Sequence, residues 1–172
     1  MKSIASFLLL LFALSLYAQS TPTEADQWSA LSFLEGTWDA KATGNGVAAM
    51  GTYTFRLELR DHILARHGSL TECKGPSTYD CEHGDLLYVY RDAPAQPLKA
   101  IYFDNEGHVI HYDVSTPSPA SAVFLSDSSQ PGPQFRLAYE LKGQVMFGKF
   151  QIRVPGQQEW KTYLEWSGEK HK

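Results

Sequence analysis

Two stretches, GTYTFRLEL (residues 51–59) and PQFRLAYEL (residues 133–141), decide the fold. In the first, Tyr53, Phe55, Leu57 and Leu59 alternate with Thr52, Thr54, Arg56 and Glu58. In the second, Phe135, Leu137, Tyr139 and Leu141 alternate with Arg136, Ala138 and Glu140. A period of two gathers the apolar set on one face of an extended chain, whereas a helix would scatter it around its axis. Both runs are therefore strands with one buried side.

Working outward from them, turn signals divide the chain into about ten strands. They fall near residues 36–43, 51–59, 62–70, 84–91, 98–104, 107–114, 121–127, 133–141, 145–153 and 160–168. Asp104-Asn105-Glu106-Gly107, Lys142-Gly143-Gln144 and Pro155-Gly156-Gln157 are hairpin turns by composition, and Arg60-Asp61 is a tighter one. Connections this short cannot carry parallel crossovers, so the strands form an antiparallel meander. Closing the meander removes its two raw edges. A sandwich is the rival, but only the loops near Lys74 to Asp80 and Ser126 to Pro133 could cross between sheets. The expectation is an all-β, ten-stranded antiparallel up-and-down β-barrel. A short amphipathic helix precedes it over residues 24–34, where Trp28, Leu31, Phe33 and Leu34 follow Glu24 and Asp26 and Gly36 ends the run.

The N-terminus reads MKSIASFLLLLFALSLYAQS, with Lys2, an apolar run to Leu16 and the small residue Ala18 at a cleavage position. This is the pattern of a secretory signal over residues 1–18, leaving one domain over residues 19–172. The run is shorter than the roughly 20 residues a spanning helix needs, so no stable membrane anchor is expected after cleavage. The destination is the periplasm or the medium. Cleavage leaves 14 basic against 19 acidic residues. Without a basic footprint, a nucleic-acid partner is not expected. Cys73 and Cys81 enclose KGPSTYD, and in an oxidising compartment a loop-closing disulfide is the first reading. Zinc held with His67 and His83 is the alternative.

The segment LSFLEGTWDAKATGNG (residues 31–46), a helix running into Gly36-Thr37-Trp38 on a first strand, resembles the opening of the calycin superfamily, the lipocalins and fatty-acid-binding proteins. The strand count is similar to the fatty-acid-binding and nitrobindin branch. IYFDNEGHVIHYDVS, FRLAYEL and YLEWSG resemble uncharacterised secreted bacterial lipocalin-like proteins. The resemblance implies that Trp38 closes the barrel base. It also nominates Arg136, with Tyr112 or Tyr139, to hold a ligand's carboxylate, as an interior Arg and Tyr do in fatty-acid-binding proteins. Nitrobindins bind haem. Here, however, Asp39-Ala40-Lys41-Ala42 follows Trp38 in place of a Gly-rich run ending in Tyr-Pro, and from Asp113 onward the sole histidine is His171. Haem is accordingly not expected, and no other cofactor is.

Ten strands are wide enough to leave a cavity. The aromatics Tyr53, Phe55, Tyr88, Tyr90, Tyr102, Tyr112, Phe135, Tyr139, Phe150 and Trp166 fall on strands and could line it or simply form core. Arg136 lies opposite the aromatic run: a surface arginine if that face is solvent, a buried cation if it is not. His108 and His111 point to opposite faces, and His111 is the inward one if it sides with Val109. Asp104, Asn105 and Glu106 are read as turn residues rather than a cation site. No Gly-x-Ser-x-Gly, His-Glu-x-x-His or phosphate loop appears, and no catalytic set is assigned. The leading function is an exported barrel that sequesters or carries a small hydrophobic or amphipathic molecule. A filled-barrel envelope protein and an enzyme using His111, Tyr112 or Asp113 are the alternatives. A solid interior would favour the former, converging groups in a pocket the latter.

Overall fold

The computed structural model describes residues 28–77, 79–129 and 131–172. The expected signal, residues 1–18, lies outside the described residues. Ten strands follow in chain order: β1 (Gly36–Gly44), β2 (Val47–Glu58), β3 (Ile63–Lys74), β4 (Gly84–Tyr90) and β5 (Lys99–Asp104), then β6 (Val109–Ser118), β7 (Ser121–Ser126), β8 (Gln134–Lys142), β9 (Val145–Arg153) and β10 (Lys161–Lys170). Each pairs antiparallel with its neighbours in sequence, and β1 also pairs with β10, with Trp38 opposite Lys170 and Thr43 opposite Glu165. The sheet is thus a closed barrel, not a sandwich.

Of the helix expected over 24–34, residues 24–27 lie outside the described residues; Trp28 and Ser29 are helical and a 3-10 turn follows at Ser32–Leu34, which does not amount to the expected helix. Leu34 N–H donates to Leu31 O (3.0 Å) and Glu35 N–H to Ser32 O (3.2 Å). In 3-10 geometry residues three apart stack over one another, so the spacing of Leu31 and Leu34 is satisfied without an α-helix. Both leucines are fully buried against the barrel base.

Trp38 is 1% exposed beside them, and its Nε1–H donates to Leu34 O at 2.8 Å. Phe55, Leu64, Val89, Leu98, Phe124 and Met146 fill the same half of the interior. Each such side chain contributes about 1.5 to 3 kcal/mol by leaving water. Towards the other end Trp166 on β10 lies flat over Gly148 of β9, its register partner. A Cβ at Gly148 would stand 2.0 Å from the indole Cε2, so this position accepts no larger residue while Trp166 stays in place. Gly148→Ala is expected to displace the indole and cost about 1 to 3 kcal/mol as overpacking, read by Trp fluorescence and thermal melting.

The β2–β3 turn carries local strain. Leu59, Arg60 and Asp61 have φ of 51°, 57° and 65°, three successive non-glycine residues in the left-handed region. The turn is closed by His62 N–H donating to Glu58 O at 3.1 Å. Each such residue costs roughly 1 kcal/mol relative to glycine. Arg60→Gly is therefore expected to raise stability by about 0.5 to 1 kcal/mol in urea unfolding, and an unchanged or lower midpoint would show that the turn is unstrained.

Candidate functional site

Strand alternation determines which side chains face the interior. On β1, β2 and β3 the inward positions towards the mouth are small: Ala40, Ala42, Ala49, Gly51 and Gly68. They leave a cavity of about 640 Å³ above the packed base. Counting around the ring, β4 and β9 lie five strands apart and so face each other. The two walls differ in chemistry.

The wall of β8, β9 and β10 is apolar. Phe135, Leu137, Phe150, Leu164 and Trp166 line it. Phe135 and Phe150 stack with centroids 5.8 Å apart and planes 7° from parallel, and Tyr163 meets Phe150 edge-on at 6.1 Å.

The opposite wall, on β3, β4 and β5, is charged. Arg66 of β3 bonds to Asp85 of β4, each with a side chain 11% exposed, and its guanidinium sits 5.2 Å above the Tyr53 ring. Gly68 makes the pair possible, because a Cβ there would approach Asp85 Oδ1 to 2.7 Å. Burial alone would raise the Asp85 carboxyl, but Arg66 and His83 overcome it and hold the group down at about 2. The buried Arg66 is kept cationic by Asp85 against the desolvation that opposes its charge.

Above the pair, His83 Nε2 faces Asp85 Oδ2 at 3.6 Å and Tyr102 Oη at 3.3 Å, while Nδ1 contacts Glu106 Oε1 at 2.9 Å. Hydrogen bonding to Asp85 and then Glu106 outweighs burial and lifts the imidazole to about 8. A continuous polar ladder thus climbs from Arg66 on the floor to Glu106 at the rim. Desolvation raises the tyrosines around it, Tyr53 to about 12 and Tyr102 and Tyr112 further still. Tyr53 Oη, Tyr139 Oη, Trp166 Nε1 and Arg66 Nε are buried with no completed hydrogen bond among the described residues.

The residues nominated from sequence separate into two groups. Tyr112 and Trp166 line the cavity, and Tyr139 packs beneath it, 1% exposed, against Phe55, Phe124 and Trp166. Arg136, His111 and Tyr88 are on the outer face. Arg136 donates to Gln151 from Nε and Nη2 (2.9 and 2.6 Å) and stacks on Trp160 at 4.6 Å, so the solvent alternative for this arginine holds. His111 is exposed, which corrects the inward orientation taken from Val109: the inward set of β6 is Ile110, Tyr112 and Val114, and Val109 is itself 54% exposed at the rim. On β4 the inward set is Asp85, Leu87 and Val89, so Tyr88 turns outward and meets the His67 ring edge-on at 6.3 Å.

Sequence reasoning did not nominate Arg66 or Asp85, and it reached His83 only as a ligand in the zinc alternative. The available signal was phase: in Leu64-Ala65-Arg66-His67-Gly68, Arg66 shares its face with Leu64 and Gly68, a core leucine and a residue that yields space. Cys73 and Cys81 form the disulfide, Cα to Cα 5.5 Å, within the loop that carries His83, so the zinc alternative that needed their sulfurs does not arise.

No protein-family model matches the chain, and no curated protein matches it. Among solved structures it is similar to a fatty acid binding protein of Schistosoma mansoni in complex with arachidonic acid. That likeness has a TM-score of 0.50 at 11% identity and covers 83% of this chain and 99% of the other. At this identity the likeness shows the fold alone, that of a closed antiparallel ten-stranded barrel.

Breaking the buried pair tests the charged wall. Asp85→Asn leaves Arg66 without its counter-charge and is expected to cost about 3 to 5 kcal/mol, whereas the paired replacement Arg66→Met with Asp85→Leu is expected to be near neutral. Urea unfolding of the single and double variants checks both. Equal losses in the two would mean that packing, not charge compensation, holds the wall.

Proposed function

We propose that the protein is an exported carrier or scavenger of a small hydrophobic or amphipathic molecule, which it takes into the barrel through the mouth. The observation that carries this reading is the two-walled cavity of about 640 Å³, aromatic on one side and polar on the other. Binding pockets for small molecules span roughly 300 to 1,000 Å³ and combine apolar lining with a few placed polar groups. The similar barrel from Schistosoma mansoni holds arachidonic acid, which supports a ligand of this general character. Export, to the periplasm or the medium, rests on the N-terminal segment MKSIASFLLLLFALSLYA.

The difference between the walls bears on the ligand's shape. Aromatic rings on β8 to β10 would cover an apolar body, and the ladder from Arg66 to Glu106 would meet a polar end. Arg136 is not offered for that task, since it stands outside the barrel bound to Gln151 and Trp160. The interior arginine is Arg66.

Native mass spectrometry of the processed protein, purified from its own cells, is expected to show a bound small mass. A fluorescent fatty-acid analogue should bind to the emptied barrel and be displaced by unlabelled oleate. Ala42→Phe, which puts a ring where the cavity needs a methyl group, is expected to weaken the analogue by about tenfold or more, equivalent to about 1.4 kcal/mol. Neither a co-purified mass nor probe binding in the folded protein would overturn the reading.

A further inference from the structure

An apolar chamber does not require the cluster of ligating side chains at one arc of its mouth. His83 stands on the loop between β3 and β4, Asp104 ends β5, and Glu106 lies in the turn to β6. One ligating atom from each lies within 4.8 Å of those of the other two, and all three side chains line the cavity. We propose that His83, Asp104 and Glu106 hold a divalent transition-metal ion of the zinc type, with its remaining coordination positions turned towards the cavity.

The geometry is close to what such an ion needs. With zinc bonds of about 2.0 Å to nitrogen and oxygen, neighbouring donors in a tetrahedron stand roughly 3.3 Å apart. His83 Nδ1 and Glu106 Oε1, now 2.9 Å apart, have to open by only a few tenths of an ångström. Asp85 and Tyr102 face the other ring nitrogen at 3.6 and 3.3 Å, which leaves Nδ1 as the ligating atom and supplies the outer carboxylate that orients metal-bound imidazoles.

Asp104 is equally well placed. Its side chain is 4% exposed, and Oδ1 accepts the backbone N–H groups of Glu106 (3.0 Å) and His108 (2.9 Å). Oδ2, the oxygen left for a metal, now meets Tyr102 Oη at 3.3 Å and His108 Nδ1 at 2.8 Å. Asn105 ties the two loops together: Oδ1 accepts Gly84 N–H at 3.0 Å, and Nδ2 donates to Asp80 and to the Glu82 carbonyl. The Cys73–Cys81 bridge closes the same loop. Ligands held on two cross-braced loops need little reordering on binding.

Charge points the same way. Asp85, Asp104 and Glu106 place three carboxyl groups at this arc of the cavity beside Arg66, a formal excess of two negative charges that matches one divalent ion. As the metal–nitrogen bond forms, the Nδ1 proton leaves to solvent. Nitrogen and carboxylate donors together suit zinc, and three protein ligands leave room for water or for an oxygen of a molecule in the chamber.

The test uses the metal alone, so it is independent of the carrier reading. Chelator-stripped protein with its disulfide intact, titrated with Co²⁺, is expected to bind one ion per chain, develop visible absorption bands and yield the ion to Zn²⁺. His83→Ala and Glu106→Gln should each weaken binding by at least about tenfold. His171→Ala, at the barrel's other end beside Asp39, should leave it unchanged. Glu106 is exposed, so Glu106→Gln keeps the test valid should His83→Ala fail to fold, with circular dichroism reporting on both. Absence of binding by the wild-type protein, or binding indifferent to both mouth substitutions, overturns the proposal. Fatty-acid analogue binding by the stripped protein would leave the carrier reading standing in that event.

Discussion

Closure of β1 onto β10 is the constraint on which the rest of this structure depends. Once ten strands join in a ring, the width of the interior is set by strand number and tilt, and side chains must either fill it or leave it hollow. At the base they fill it: Phe55 and Phe124 both pack edge-on against Tyr139, and Trp38, Leu31 and Leu34 belong to the same buried core. Towards the mouth, alanines and glycines on β1 to β3 stop short of the aromatic wall opposite. The chamber follows from a gradient of side-chain size along the barrel axis, imposed on a ring too wide to close over small residues.

A buried ion pair is a costly thing to place in such an interior, because desolvation of two charges offsets most of their attraction. Arg66 and Asp85 are retained in a wall that could have been aliphatic, and the consequence is specificity of arrangement rather than stability. The pair fixes Tyr53 under the guanidinium, requires Gly68 beside the carboxylate, and gives His83 a negative neighbour that holds it charged to about pH 8. Each of these positions is legible only in terms of the others. None would be explained by packing alone.

The strands and their turns were legible in the sequence because period two and turn chemistry are local. GTYTFRLEL and PQFRLAYEL lie in β2 and β8 with their alternation intact, and Asp104 to Gly107 makes its turn. What local pattern could not supply is the phase of strands carrying apolar residues on both faces. GDLLYVY in β4 offers Leu86, Tyr88 and Tyr90 on one side and Asp85, Leu87 and Val89 on the other. Aromatic content favours the first set, yet the second faces inward, because Asp85 finds Arg66 on a neighbouring strand. A partner 19 residues away is a property of register, which turns and strand lengths decide jointly. The same limit governs arginines: Arg136 was visible as a cation between apolar neighbours, whereas Arg66 sits on the apolar face itself. In the N-terminal segment the pattern is ambiguous for another reason, since three-residue spacing is common to α and 3-10 geometry.

Electrostatic continuity along the charged wall ties floor and mouth into one unit. Asp85 touches both Arg66 below and His83 above, and His83 in turn reaches Glu106 at the rim, so a change of charge at the rim alters the field around the buried pair. In a chamber walled on its far side by aromatic rings, that field is weakly screened. A molecule entering past Glu106 meets Asp85, which Arg66 and His83 hold ionised. An anionic end would have to compete with Asp85 for Arg66, whereas an uncharged polar end could bond along the wall without displacing anything. The arrangement therefore ties recognition of a polar end to the buried pair, through Arg66 on β3.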